Sequence, residues 1–229
     1  VLSDLNGHPI VDEKLFVDIN GTNHELTTNT NGRIYLNLRL NPDSYELFVN
    51  FKGSSDYSGC NLTSQINVLS TIQANDMTRG YNSGVDYTAT FASKDGSSLS
   101  NAKVMFIVNG VEYDSVTDNN GVAVLNKKLA VGTYAVVIIN PLTGQNVTRQ
   151  VKIVARVVEN NNLVMDYLDG SYFKVRIVAD DGSYAGAGQR VTFNVGKSTY
   201  YANTNANGYA AIRITEVPKT YAVKTTYTT

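Results

Sequence analysis

The chain has 229 residues, 42% of them hydrophobic and 17% charged, with a formal net charge of -1. At roughly 100–150 residues per domain, that length allows one to three domains, and the apolar share suits packed cores rather than disorder. Lys and Arg are scattered with no basic face or tract, so the electrostatic footprint of a nucleic-acid binder is missing.

Fifteen Tyr, no Trp and many Val, Thr, Asn and Gly bias the chain toward pleated strands joined by tight turns. Cys60 is the single cysteine, so no intramolecular disulfide can hold the fold. No apolar run approaches the length of about 18 residues that a spanning helix needs, and membrane insertion is not expected. Val1 begins in mid-pattern, so a secretion signal is expected outside these residues.

In chain order, Ile34, Leu36, Leu38 and Leu40 alternate strictly and read as a strand. Asp86 to Phe91 and Tyr172 to Val178 also alternate, with Tyr87, Ala89 and Phe91 on one side. Val104 to Val108, Val122 to Leu125 and Tyr134 to Ile139 are short apolar runs between turn signals. Asp95-Gly96, Asn109-Gly110, Asn120-Gly121, Asp169-Gly170, Asp181-Gly182 and Asn207-Gly208 are dipeptides that close hairpins.

These elements belong to an internal repeat. Three copies open at Gly7, Gly96 and Gly182 and run to a Thr-x-x-Asn-Gly turn at Thr28–Gly32, Thr117–Gly121 and Thr204–Gly208. A tyrosine stands 13 residues after each turn glycine: Tyr45, Tyr134 and Tyr221. The glycines lie 89 and 87 residues apart, a unit longer than the common helical repeats and large enough for a small domain. The predicted fold class is therefore all-β: tandem immunoglobulin-like β-sandwich domains of about seven strands each, arranged as a rod. Domains are expected over 1–69, lacking its first strands, over 70–154, complete, and over 155–229, lacking its last strand. Missing strands leave open edges, and exchange of a strand with another copy would fill them.

Tyr45, Tyr134 and Tyr221 each follow a crossing segment and start the next strand, the place of a tyrosine corner. Tyr81 and Tyr167, three residues before Gly84 and Gly170, read as core or edge packing. Tyr113, Tyr200 and Tyr201 are candidate ligand contacts. The loops from Gly53 to Asn61 and from Leu142 to Asn146 are candidate contact points. Asn20, Asn61 and Asn146 head N-x-Ser/Thr sequons, acceptor sites for glycans in a secreted protein.

Catalytic chemistry finds no footing. His8, His24 and Cys60 make no zinc pattern, and Cys60 sits in what reads as a Gly-Cys-Asn loop. Asp118-Asn119-Asn120 and Asp180-Asp181 lack the spacing of a calcium loop and read as turn formers. Lys14, Lys103 and Arg190 recur at one strand end, where long cations snorkel. No catalytic residue, metal or cofactor is expected.

Lys103-Val104-Met105-Phe106, Asn109-Gly110, Thr117, Asn120-Gly121, Leu125, Leu129 and Gly132-Thr133-Tyr134 carry a resemblance that covers nearly all the chain. They resemble bacterial-type immunoglobulin-like repeats of adhesin-like surface proteins, and are most similar to those of methanogenic archaea. Arg190 and Glu216 depart from that pattern. The resemblance implies a cell-surface, extracellular stalk or weak multivalent attachment module whose partners are surface proteins or glycans of other cells. The alternative is a carbohydrate-binding or accessory module of a secreted protein.

Overall fold

The computed structural model describes residues 1–227 and is all-β, with no helix long and apolar enough to cross a membrane. The chain divides into two compact units, Val1–Ser70 and the residues from Thr71 onward.

In the first unit, β1 (Lys14–Ile19), β2 (Thr22–Thr27), β3 (Asp43–Gly53) and β4 (Ser58–Val68) form one antiparallel sheet in the order β2-β1-β3-β4. Asn20 and Gly21 close the β1–β2 hairpin, both at positive φ (46° and 85°), which matches the twist of the flanking strands. Leu2, Ile10, Leu15 and Phe51 form its core.

The expected strand over Ile34, Leu36, Leu38 and Leu40 does not form: residues 33–40 have no ladder. The reason is pairing. A strand needs a partner for its amides. Among the described residues no strand pairs with 33–40, and the Leu2 N–H donates to the Gly32 carbonyl at 2.8 Å. Tyr35 and Leu38 consequently stay exposed.

The second unit holds two β-sandwiches in tandem, each around its own core. The first comprises β5 (Ile72–Gln73), β6 (Met77–Gly80), β7 (Thr88–Phe91), β8 (Lys103–Val108), β9 (Val111–Val116), β10 (Val122–Val124), β11 (Gly132–Asn140) and β12 (Gln145–Val154). Its sheets are β10-β7-β5 and β6-β12-β11-β8-β9. Alternation places Tyr87, Phe91 and Phe106 inside, where the rings meet edge to face at 6.5 and 6.4 Å.

The second sandwich comprises β13 (Val157–Val158), β14 (Tyr172–Ile177), β15 (Arg190–Val195), β16 (Ser198–Asn203), β17 (Tyr209–Arg213) and β18 (Val223–Thr226). Its sheets are β13-β14-β17 and β16-β15-β18. Phe173 and Phe193 repeat the edge-to-face contact at 6.2 Å. Thr228 and Thr229, the end of the 155–229 segment, lie outside the described residues.

Only Ala155 and Arg156 separate β12 from β13. The Arg156 side chain is 12% exposed. Its Nε donates to the Tyr81 carbonyl at 2.9 Å, its Nη1 to the Val178 carbonyl at 3.0 Å, and its Nη2 pairs with the Asp180 carboxylate. The Gly80 N–H donates to the Asp180 carbonyl at 3.0 Å. A Cβ at Gly80 would lie 2.6 Å from the Ala179 carbonyl oxygen, so the two sandwiches meet backbone to backbone.

Candidate functional site

The residues that recur among the copies form one device in each. Thr28, Thr117 and Thr204 are buried, at 2%, 2% and 4% exposure. Each hydroxyl accepts the amide N–H fifteen residues upstream, from Glu13, Ala102 and Gln189, at 3.0, 3.0 and 2.9 Å. The following side chain closes the turn. Asn29, Asp118 and Asn205 each accept two amides through Oδ1, at 2.8–3.0 Å. Gly121 then takes φ 78°, and a Cβ there would lie 2.4 Å from the Phe91 carbonyl oxygen.

The three aligned tyrosines each donate to the carbonyl four residues upstream: Tyr45 to Asn41, Tyr134 to Ala130 and Tyr221 to Val217, at 3.0, 3.1 and 3.0 Å.

The candidate ligand tyrosines do not converge. Tyr113 is half-buried against the Tyr87–Phe106 core, with Lys127 Nζ 5.4 Å from its ring centre. Tyr200 packs against the other core and donates to Glu216 at 2.8 Å. The Ser198 and Tyr200 hydroxyls hold the Glu216 carboxyl below its usual range. Tyr201, its neighbour on β16, points to the opposite face, is exposed, and lies under the Arg190 guanidinium at 4.2 Å.

Tyr81 and Tyr167 are exposed in turns rather than packed in a core: Tyr81 follows the end of β6, and Tyr167 precedes β14. Asn20, Asn61 and Asn146 are all exposed, Asn20 at a hairpin turn and the other two on β4 and β12. Cys60 is exposed but stands inside β4 opposite Phe51, not in a loop, since the β3–β4 ladder runs to Gly53 and Ser58. The two candidate contact loops shrink to match: residues 54–57 turn between β3 and β4, and Gln145 and Asn146 belong to β12.

Lys14 Nζ pairs with Glu25 at 2.6 Å and Lys103 is likewise exposed, as cations at a strand end are. His8 Nδ1 lies 3.1 Å from Asp4 Oδ2 on an exposed turn, and no group of three metal-ligating side chains occurs among the described residues. A cleft of about 550 Å³ runs beside β5 and β7, yet its Arg149 donates to the Ala74 carbonyl and its Asp76 accepts the Gln150 amide.

A cluster that the sequence reading passed over lies on the outer face of the β13-β14-β17 sheet. Register pairs Tyr172 with Arg213, Lys174 with Ala211 and Arg176 with Tyr209. The Arg176 guanidinium sits 3.2 Å from the Tyr184 ring centre and 4.7 Å from that of Tyr209. Glu159 joins them, with Oε1 3.1 Å from Arg176 and Oε2 accepting the Tyr209 hydroxyl at 2.6 Å. The Tyr209 hydroxyl and then Arg176 hold the Glu159 carboxyl below its usual range, and the same bond pushes the Tyr209 phenol up. Tyr172 and Tyr184 are 58% and 51% exposed. Aligning the copies would have found these residues, because Arg176, Tyr184 and Tyr209 stand where the previous copy has Thr90, Ser98 and Val122.

No protein-family model matches the chain, and no curated protein matches it in sequence. Among solved structures it is similar to a Ca2+-stabilised adhesin with which an Antarctic bacterium binds ice, at 16% identity over 95% of this chain, TM-score 0.29. It is similar to invasin, a bacterial integrin-binding protein, at 15% identity over 99% of the chain, TM-score 0.27. It is also similar to SGBP-B of the Bacteroides ovatus mixed-linkage glucan utilisation locus, solved with a mixed-linkage heptasaccharide, at 14% identity over 94%, TM-score 0.27. The chain spans 64%, 55% and 55% of those three chains. All three are bacterial, so the archaeal likeness gains nothing from them.

Thr117→Val keeps the shape of the side chain but leaves the Ala102 amide without its acceptor. It should cost about 1–3 kcal/mol in denaturant unfolding, against much less at an exposed threonine such as Thr88. Asp95 gives a pH signature. The Ser93 and Ser97 hydroxyls and then the Ser97 amide hold its carboxyl down at about 2. Because the folded value is depressed, the stabilisation is complete above the ordinary carboxylate range and fades as pH falls toward about 2. A carboxyl-carbon NMR titration should place the Asp95 midpoint at about 2, and Ser93→Ala should raise it.

Proposed function

We propose that the chain is part of an extracellular, cell-surface adhesin, in which consecutive immunoglobulin-like sandwiches act as a stalk and a weak, many-copy attachment module without catalysis. The recurrent residues support this, because Thr117, Asp118, Gly121 and Tyr134 are all engaged in holding the fold. The Arg156 joint carries the reading. A spacer must pass direction from one bead to the next, and a two-residue linker locked by a mostly buried guanidinium does so, whereas a Gly/Ser linker would leave the beads to tumble freely. Many weak contacts along such an array reach high avidity without a strong single site.

Residues 34–40, which join no ladder, also suit a strand donated by a second copy, since backbone outside a ladder recruits another strand.

Arg156→Ala removes two carbonyl contacts and the Asp180 pair together. Alignment tensors fitted separately to the two sandwiches by residual dipolar couplings should coincide in the native chain and diverge in the variant, with each sandwich still folded. Equal tensors in both proteins would defeat the stalk reading. For strand donation, sedimentation velocity should show a concentration-dependent dimer, and a monomer at every concentration would exclude it.

A further inference from the structure

We propose that the outer face of the β13-β14-β17 sheet binds an acidic polysaccharide, with exposed tyrosine rings stacking on sugar faces and Lys174 and Arg213 meeting its carboxylates.

The previous copy builds the same sheet without these side chains. The copies align by shared hydrogen bonds: Ile177 donates to the Gly208 carbonyl as Phe91 does to that of Gly121, both at 2.8–2.9 Å. By that register Tyr172, Lys174 and Arg176 replace Asp86, Thr88 and Thr90, while Tyr209 and Arg213 replace Val122 and Asn126. Tyr184 replaces Ser98, each bridging to the end of the preceding strand. The previous copy builds the same sheet from small or uncharged residues and Asp86. The third copy has placed aromatic and cationic groups there: Arg176 also donates to the Asn207 carbonyl at 2.9 Å, whereas the Tyr172, Lys174, Tyr184 and Arg213 side chains make no hydrogen bond among the described residues.

The chemistry selects the ligand. The face carries Lys174, Arg176 and Arg213 against Glu159 and Asp169, an excess of one positive charge, with Asp166 in the same turn as Asp169. Glu159 and the two flanking rings hold Arg176 in place, so its plane and the Tyr184 ring form a rigid platform. Lys174 and Arg213 are exposed and stand on neighbouring strands. Tyr172 and Arg176 lie four residues apart along β14, about 13 Å, which spans several sugar units rather than one. Tyr and Arg can also anchor protein partners, so the poly-L-glutamate arm of the test separates an acidic peptide from a polysaccharide. This assignment is independent of the stalk reading, which rests on Arg156.

The test is native affinity electrophoresis of the 229-residue chain in gels containing polygalacturonate, uncharged dextran or poly-L-glutamate. Polygalacturonate should retard the chain, and dextran should not. The Lys174→Gln/Arg213→Gln double variant and Tyr184→Ala should each weaken retardation about tenfold or more. Lys197→Gln, at the β15–β16 turn on the other sheet, should leave it unchanged. All the substituted side chains are exposed, and thermal melts matching the parent confirm folding. Absence of retardation, equal retardation by dextran or by poly-L-glutamate, or indifference to the face substitutions would overturn the assignment.

Discussion

A threonine hydroxyl held out of water beneath an Asn-Gly turn is the constraint on which each repeat rests. A buried hydroxyl or amide without a partner is costly, so Thr117 and the Ala102 amide must stay together. Their bond ties the start of β8 to the chain just past β9. The turn that follows carries the backbone from one sheet to the other, where the Gly121 carbonyl accepts from Phe91 of β7. One side chain therefore sets both the end of a hairpin and the spacing of the two sheets. The same bonds recur at Thr28 and Thr204, which explains why this motif outlasts the differences between copies.

Once the scaffold is accounted for, what differs between copies becomes informative. Arg156 occupies the position that Thr71 takes one repeat earlier, and both carbonyls accept the amide of the neighbouring strand. The arginine adds a side chain long enough to reach back to Tyr81 and across to Asp180. The outer sheet face diverges in the same way. Thr90 has no charge to place, whereas Arg176 needs the Glu159 carboxylate and two rings around it. Joint and face are both departures from a common plan, and each is held by charge-assisted or cation–π contacts rather than by the core.

The first unit shows what the plan needs. Its Thr28 device and Tyr45 bond are intact, yet residues 33–40 do not join a ladder. Correct local patterning is insufficient for a strand where no neighbouring strand lies beside it among the described residues. Sheet formation is a pairwise property, and an alternating sequence supplies only one side of the pair.

The sequence by itself determined the repeat, the β class, the turns and the inward residues of each strand. Those follow from local rules: period-two alternation puts Tyr87, Ala89 and Phe91 inside, and the positive φ at Gly121 favours glycine. It also marked Tyr45, Tyr134 and Tyr221, because their fixed distance from the turn glycine is visible along the chain. Only the tertiary structure decided which tyrosines share a face. Tyr200 and Tyr201 are adjacent in sequence and point apart, while Tyr172, Tyr184 and Tyr209 are distant in sequence and lie on one side of a sheet. Strand register and crossovers create that proximity, and neither is encoded in the spacing of residues along one strand.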